Sequence, residues 1–242
     1  MAKAAVDTVL LAGEPPLAGE MAELCRSRGL AVDLRAAGPR RRRRAGTRVK
    51  AGGRGRTAIA FELTHTDPEA KRENLRLIES GIGPSVPILS TSVTVTVGEQ
   101  AHWTRHPERL VGISALPGMT SGGLLELAAG SGTDASAIRS AGAFLQRLGK
   151  ETAVVQDRVG MVTPRILCGI INEAFFALTE DAASPRDIDT AMKLGTNYPF
   201  GPVEWAQKIG IRHILCILEA LHRDLGDDRY RVAPLLRQLA NV

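Results

Sequence analysis

The chain has 242 residues, of which 44% are hydrophobic and 24% charged, proportions of a globular protein that exclude a wholly disordered chain. No apolar run approaches the ~20 residues that span a bilayer, and Val9-Leu10-Leu11 is too short for a signal-peptide core. A soluble, cytoplasmic protein without a membrane partner is expected. The net charge of +5 is local: Arg40, Arg41, Arg42, Arg43, Arg44, Arg48, Lys50, Arg54 and Arg56 place nine positive charges in seventeen residues, which leaves −4 for the rest.

In chain order, Asp7 to Gly13 is a short apolar run before a glycine, the usual start of a nucleotide-binding βαβ unit. Leu17, Met21, Leu24 and Cys25 follow at helical spacing, and Leu30 to Leu34 reads as a second strand after Gly29. This order predicts a Rossmann start, with Gly13, Ala18 and Arg35 as its candidate cofactor-binding positions. A G-x-G-x-x-G turn needs glycine at its second position so that backbone can approach a pyrophosphate. Aligned on Gly13, that position holds Pro15, Pro16 follows, and the third glycine is replaced by Ala18. Proline brings a ring and removes an N–H donor where a phosphate would lie, and Glu14 adds negative charge beside it. Arg35 and Ala36 stand at the end of the second strand, where an acidic residue would hold ribose hydroxyls.

The arginine-rich segment comes next. Like charges repel, and Gly38, Pro39, Gly46, Gly52, Gly53 and Gly55 oppose regular structure, so a solvated loop is one expectation. Binding of phosphates on a nucleotide or on coenzyme A by Arg40 to Arg44 is the other. Nucleic acid is disfavoured, because the segment lacks interleaved aromatics and a recognisable motif. Thr57 to Leu63 then predicts a strand, Pro68 to Ser80 a helix and Val86 to Leu89 a strand. His102 and His106 fall in a surface turn. Arg109 to Leu116 and Gly123 to Ala129 continue as strands, Thr133 to Leu148 as an amphipathic helix stopped at Gly149, and Thr152 to Val155 as a last strand.

From Pro164 onward the pattern is helical. Ile166, Leu167, Ile170, Ile171, Ala174, Phe175 and Leu178 form a stripe wide enough to face a core and a partner together. Ser184, Pro185 and Asp187 supply an N-cap, a first-turn proline and an acidic N3 for the next helix, with Gly195 as its left-handed cap. Asn197 to Pro202 forms a stiff elbow, and Pro202 opens a helix through Val203, Trp205, Ala206 and Ile209. Ile214, Ile217, Leu218, Leu221 and Leu225 mark another helix, and Pro234 begins a short one with Leu235, Leu236 and Leu239. Cys25, Cys168 and Cys216 are odd in number and each lies in an apolar helical pattern, which predicts buried reduced thiols. The histidines at 65, 102, 106, 213 and 222 show no metal-ligand spacing, so no metal site is expected.

The runs DRVGMVTPRILCGIINEAFFALTEDAASPRDID, AMKLGTNYPFGPVEWAQKIG and GDDRYRVAPLL resemble the C-terminal helical domain of the 3-hydroxyacyl-CoA dehydrogenase family. They are most similar to the second such domain of the longer, duplicated bacterial members, and the likeness covers about Asp157 to Leu239. It implies an α/β, Rossmann-like domain over residues 1–156, cut down between Arg35 and Thr57, followed by an all-α dimerisation domain over 157–242. It further implies NAD as cofactor, an acyl-CoA ligand and a homodimer through the helical domain. The family oxidises a 3-hydroxyacyl-CoA to the 3-ketoacyl thioester with a His as general base, a Glu that orients it, and a Ser and an Asn on the reacting oxygen.

Carried over from Asp157 without gaps, the Glu position is retained as Glu126. The His position is Ser114, the Ser position is Val93, flanked by Ser92 and Thr94, and the Asn position is Pro164. A serine hydroxyl is too weak a base for the His role near neutral pH, and valine and proline side chains donate nothing. With the His gone, Glu126 is expected to be capped by Ser114 or a water. Two functions follow: a catalytically degenerate subunit that retains the dimer and an acyl-CoA surface, and serves as partner to an active dehydrogenase, or an active NAD-dependent oxidoreductase on an unusual substrate.

Overall fold

The computed structural model describes residues 7–36 and 57–241. Arg40 to Arg44 lie outside them. Seven strands form one sheet: β1 (Thr8–Gly13), β2 (Ala31–Ala36), β3 (Thr57–Leu63), β4 (Ile88–Thr91), β5 (Leu110–Ile113), β6 (Leu124–Ala128) and β7 (Glu151–Val155). Their spatial order is β2-β1-β3-β4-β5-β6-β7, and every pairing is parallel except β5 with β6. The connections reverse direction at β1, which has β2 on one side and β3 on the other. In open α/β sheets such a switch point, at the carboxyl ends of the strands, is where ligands are held.

Helices cover both faces. Side chains alternate along a strand, so β1 sends Val9 and Leu11 to one face and Leu10 and Ala12 to the other. The first face packs on Met21 and Cys25 of α1 (Leu17–Ser27) and on Ala141 and Leu145 of α4 (Ala135–Arg147). The second packs on Leu75 and Ile78 of α2 (Pro68–Gly81). Asp67 caps α2 through the amides of Glu69 and Ala70, with Pro68 in its first turn.

A short helix, α3 (Val97–Ala101), precedes the predicted surface turn of His102 and His106, in a stretch where the sequence predicts no element. Thr96 caps it at the amide of Glu99, and the carboxylate of the distant Asp157 accepts the amides of Val97 and Gly98 at 2.8 Å each. A cap supplied from 60 positions away leaves no local signal. The strand predicted over Arg109 to Leu116 is shorter, Leu110 to Ile113, and opposite Ser114 the Glu126 amide donates to the Ser114 hydroxyl instead of a backbone carbonyl.

After β7 the chain is helical: α5 (Thr163–Thr179), α6 (Pro185–Thr196), α7 (Pro202–Ile209), α8 (Ile211–Leu225) and α9 (Pro234–Ala240). Their core joins Cys168, Ile171 and Phe175 of α5 to Ile214, Ile217, Leu218 and Leu221 of α8 and to Leu236 of α9. Val93 and Leu116, from the sheet's carboxyl edge, are buried in that same core. The expected left-handed cap at Gly195 is corrected: α6 runs on to Thr196, and Asn197 takes the left-handed conformation at φ 57°. Asparagine tolerates that region, and the elbow starts there. Among the described residues, no helix is long and apolar enough to cross a membrane.

Candidate active site

Four positions carry the chemistry that the family resemblance implies. Glu126 lies on β6 and is buried. Its carboxylate accepts the amide of Val162 at 2.9 Å, the amide of Thr163 at 2.6 Å and the Thr163 hydroxyl. These are the opening donors of α5, which has no side-chain N-cap of its own. The turn before α5 passes Gly160 and Met161 at positive φ, 77° and 47°, so the chain arrives with its amides aimed at β6. Glu126 thus caps a helix from another element, and its charge suits the positive end of the helix dipole.

Ser114 does not cap that carboxylate. Its hydroxyl accepts the backbone N–H of Glu126 at 2.9 Å, while its own amide donates to the Glu126 carbonyl at 3.2 Å. The expected contact between the two side chains is therefore corrected to a backbone clamp between the ends of β5 and β6. Pro164 is buried in the first turn of α5. Val93 is buried among the helices, and its carbonyl accepts the amide of Gly160 at 2.9 Å. Glu126, Ser114 and the start of α5 are brought together, and Val93 joins them through that backbone bond.

The three candidate cofactor positions have other surroundings. A Cβ on Gly13 would lie 2.6 Å from the Cβ of Leu63, so the close approach of β3 requires glycine there. Ala18 is buried in the sheet core, and its amide donates to the Glu14 carbonyl. Arg35 bonds Asp33 at 3.2 Å and lies over Gly81 at the end of α2. The Glu14 carboxylate occupies the first βα turn, where it accepts the amides of His65 and Thr66, at 3.0 and 3.2 Å, and the Thr66 hydroxyl. Glu20 of α1 accepts the amide of Gly118 and the Thr120 hydroxyl, which ties α1 to the β5–β6 connection. Two carboxylates and two prolines therefore stand at the end of α1 that would face a pyrophosphate. These residues do not fit a dinucleotide held by a glycine turn.

Two polar constellations have no counterpart in the sequence expectations. Beneath the switch point, Lys71 of α2 is buried and paired with Glu62 of β3, and it also donates to the Thr64 carbonyl at 2.8 Å and the Thr91 hydroxyl at 3.0 Å. Glu62 in turn accepts the Thr64 amide and the Ser90 hydroxyl. Burial lowers the Lys71 pKa, and the Glu62 charge opposes that shift.

At the switch point itself, His65, after β3, meets His213 of α8 with Nε2 and Nδ1 2.9 Å apart, and Glu14 lies beside both. Burial, then the neighbouring His213 and Lys71, push the His65 pKa well down. Burial also lowers that of His213, against the attraction of Glu14. The three side chains come from positions 14, 65 and 213, so a search for short ligand spacing could not find them; only the switch-point topology draws them together. The three thiols are unpaired, with Cys25 and Cys168 buried and Cys216 half-buried.

Comparison with known proteins agrees with this architecture. A family model described as 3-hydroxyacyl-CoA dehydrogenase, C-terminal domain, matches residues 160–242. The chain is 35% identical over 178 residues to a 3-hydroxybutyryl-CoA dehydrogenase of Bradyrhizobium diazoefficiens, covering 74% of this chain and 61% of that protein. It is 44% identical over 120 residues to 3-hydroxyadipyl-CoA dehydrogenase of Escherichia coli K12, covering 50% of this chain and 25% of that protein. The chain thus spans less than two thirds of the length of these relatives. The solved structure of (S)-3-hydroxybutyryl-CoA dehydrogenase from Ralstonia eutropha superimposes with a TM-score of 0.77 at 27% identity, covering 98% of this chain and 94% of that one. With its Rossmann-like sheet, its helical C-terminal region and its matching sequence, the chain belongs to the 3-hydroxyacyl-CoA dehydrogenase family.

Proposed function

We propose that this family member is a catalytically degenerate, cytoplasmic protein of acyl-CoA and fatty-acid metabolism, acting as an acyl-CoA-binding or dimer-forming subunit. One observation carries the reading: the retained carboxylate, Glu126, is spent on the amides and hydroxyl that open α5. In a working site that carboxylate orients an imidazole, and the imidazole takes the proton of the substrate alcohol. Here the partner position holds Ser114, whose hydroxyl is engaged with backbone. Val93 and Pro164 supply no hydrogen bond to a reacting oxygen. Loss of a general base is worth about 10²–10⁴ in rate, and loss of an oxyanion donor about 10²–10³. The first βα turn further argues against NAD bound in the family's manner.

A second reading keeps the reaction: an active NAD-dependent oxidoreductase that converts 3-hydroxyacyl-CoA to 3-ketoacyl-CoA. Its support is the dehydrogenase names of the relatives and the retention of Glu126. Calorimetric titration with NADH and with acetoacetyl-CoA separates the two. Binding of the CoA ester without NADH is the expected result. Tight NADH binding, or turnover of acetoacetyl-CoA with NADH, overturns the degenerate reading in favour of the second. The segment Arg40 to Arg44 enters as a proposed contact for the CoA phosphates. Replacing those five arginines by serine is expected to weaken CoA binding with a marked salt dependence, and unchanged affinity rejects that contact.

A further inference from the structure

We infer that Glu14, His65 and His213 form a binding site for a divalent transition-metal cation of the zinc type. One ligand atom from each of the three side chains can be chosen so that all lie within 4.8 Å of one another. The Glu14 Oε1 is 3.7 Å from the Nδ1 of His65 and 3.8 Å from the Nδ1 of His213. Bonds of 2.0–2.2 Å in a tetrahedral site put neighbouring ligand atoms about 3.4 Å apart. The two carboxylate-to-imidazole separations therefore need to close by only a few tenths of an ångström.

The two imidazoles do not complete each other. Their single mutual hydrogen bond uses the Nε2 of His65 and the Nδ1 of His213. The Nδ1 of His65 is buried and has no hydrogen-bond partner. If it carries a proton, that proton is unsatisfied; if it does not, a lone pair faces a carboxylate, which has no proton to donate. Either state leaves a buried polar atom unpaired, at a cost of about 1–3 kcal/mol. A cation fixes the tautomer without a proton on Nδ1, because it takes up that lone pair, and it neutralises the carboxylate. No Lys or Arg among the described residues forms an ion pair with Glu14, whose titratable neighbours within 4 Å are the two histidines. Lys71, whose charge reaches His65, is paired with Glu62.

The donor set decides the class of ion. Two imidazoles and one carboxylate suit zinc and its neighbours, whereas magnesium and calcium take oxygen ligands. Glu14 is oriented by three donors, the amides of His65 and Thr66 and the Thr66 hydroxyl. A carboxylate has about four acceptor directions, so one remains for a metal. Three protein ligands leave a fourth position for solvent or a small anionic ligand. The ligands also come from two layers, Glu14 and His65 from the sheet edge and His213 from α8, so a bound ion would clamp the helical region onto the switch point. This inference is independent of whether the dehydrogenase reaction survives.

The test uses the full chain, stripped with a chelator and titrated with Zn²⁺ against a chromophoric competitor, and in parallel with Co²⁺ followed by its visible absorption. One equivalent of Zn²⁺ per chain, a low-coordinate Co²⁺ spectrum and a rise in melting temperature with Zn²⁺ are expected. His213→Gln and Glu14→Gln should each weaken Zn²⁺ binding at least tenfold and abolish the thermal shift. Both keep a polar side chain of similar length, and circular dichroism of the metal-free variants checks that they fold. The exposed control His222→Ala should bind as the parent does. Sub-stoichiometric Zn²⁺, or affinity unchanged in His213→Gln, overturns the inference and assigns any binding to surface histidines.

Discussion

The carboxylate of Glu126 and the amide of Thr163 meet at 2.6 Å, joining the middle of β6 to the first turn of α5 across 37 positions of sequence. This contact gives Glu126, which the family resemblance places at a reaction position, a structural role. It also makes the sheet and the helical region depend on each other, because the N-cap of α5 lies in the sheet.

Removing it should therefore act on stability. Glu126→Ala leaves the amides of Val162 and Thr163 without an acceptor at a partly buried helix end, and unsatisfied buried donors cost about 1–3 kcal/mol each. A loss of roughly 2–4 kcal/mol is expected in urea denaturation. Thr163→Val, which removes only the hydroxyl, should lose about 1 kcal/mol. If Glu126→Ala unfolds at the same urea concentration as the parent, the carboxylate is not the cap of α5.

The buried pair of Lys71 and Glu62 makes a sharper energetic prediction. Neither charge reaches water, and each is satisfied chiefly by the other and by Thr64, Ser90 and Thr91. Lys71→Met alone strands the Glu62 carboxylate and should cost about 3–5 kcal/mol. Adding Glu62→Gln removes the stranded charge, and the double variant is expected to be more stable than Lys71→Met. A double-mutant cycle measures the coupling; simple additivity of the two losses would mean that the charges do not depend on each other.

Two fully buried thiols set the behaviour at high pH. Burial raises Cys25 from 9.0 to about 11 and Cys168 from 9.0 to about 12. Their folded-state values lie above the unfolded value, so the native protein keeps protons that the unfolded chain releases. The stability they contribute is intact below pH 9.0 and is lost as the pH rises toward 11 and 12. By pH 10 each thiol should account for about 1 kcal/mol of that loss. Denaturation at pH 8 and pH 10 should show a steeper decline in the parent than in Cys25→Ala/Cys168→Ala, whose neutral-pH stability is lower through lost packing. Equal declines would point to other groups.

The elbow between α6 and α7 depends on Asp189, whose carboxylate accepts the amides of Val203 and Glu204 at 2.8 and 3.2 Å. A Cβ on Gly201 would overlap Asp189, backbone included. Asp189→Ala should cost about 1–2 kcal/mol as a lost cap, and Gly201→Ala about 1–3 kcal/mol through overpacking. Thermal unfolding measures both. A neutral Gly201→Ala would show that α6 and α7 can move apart freely.

Much of the fold was legible in the sequence because its cues are local. Pro68, Pro164, Pro185, Pro202 and Pro234 each sit in the first turn of a helix, where proline is tolerated and preorganised. The unbroken apolar run of β1 marks a strand buried on both faces, and the stripe of α5 marks the side that packs. What was not legible depends on distant partners. Asp157 caps α3, Glu126 caps α5, and Glu14, His65 and His213 converge from three elements. Position alone suggested an orienting role for Glu126 beside an imidazole, but its environment shows which donors claim it. The glycine at position 13 looked like a phosphate-loop residue, whereas it is the close approach of Leu63 that requires it.

The helical region leaves apolar side chains uncovered. Ile166 on α5 is 56% exposed and Leu194 on α6 is 83% exposed. Burying such a side chain yields about 1.5–3 kcal/mol, enough for a few of them to stabilise a self-complementary interface. In a two-fold dimer each substitution enters the interface twice, so a charge there acts on both copies. The proposed homodimer through residues 157–242 should appear in light scattering at micromolar concentration. Ile166→Arg places two desolvated charges in that contact and should shift the protein to a monomer, with its circular dichroism spectrum retained because the side chain lies outside the core of its own chain. A parent protein that scatters as a monomer would reject the dimer. A parent dimer that survives both Ile166→Arg and Leu194→Glu would move the interface to another surface.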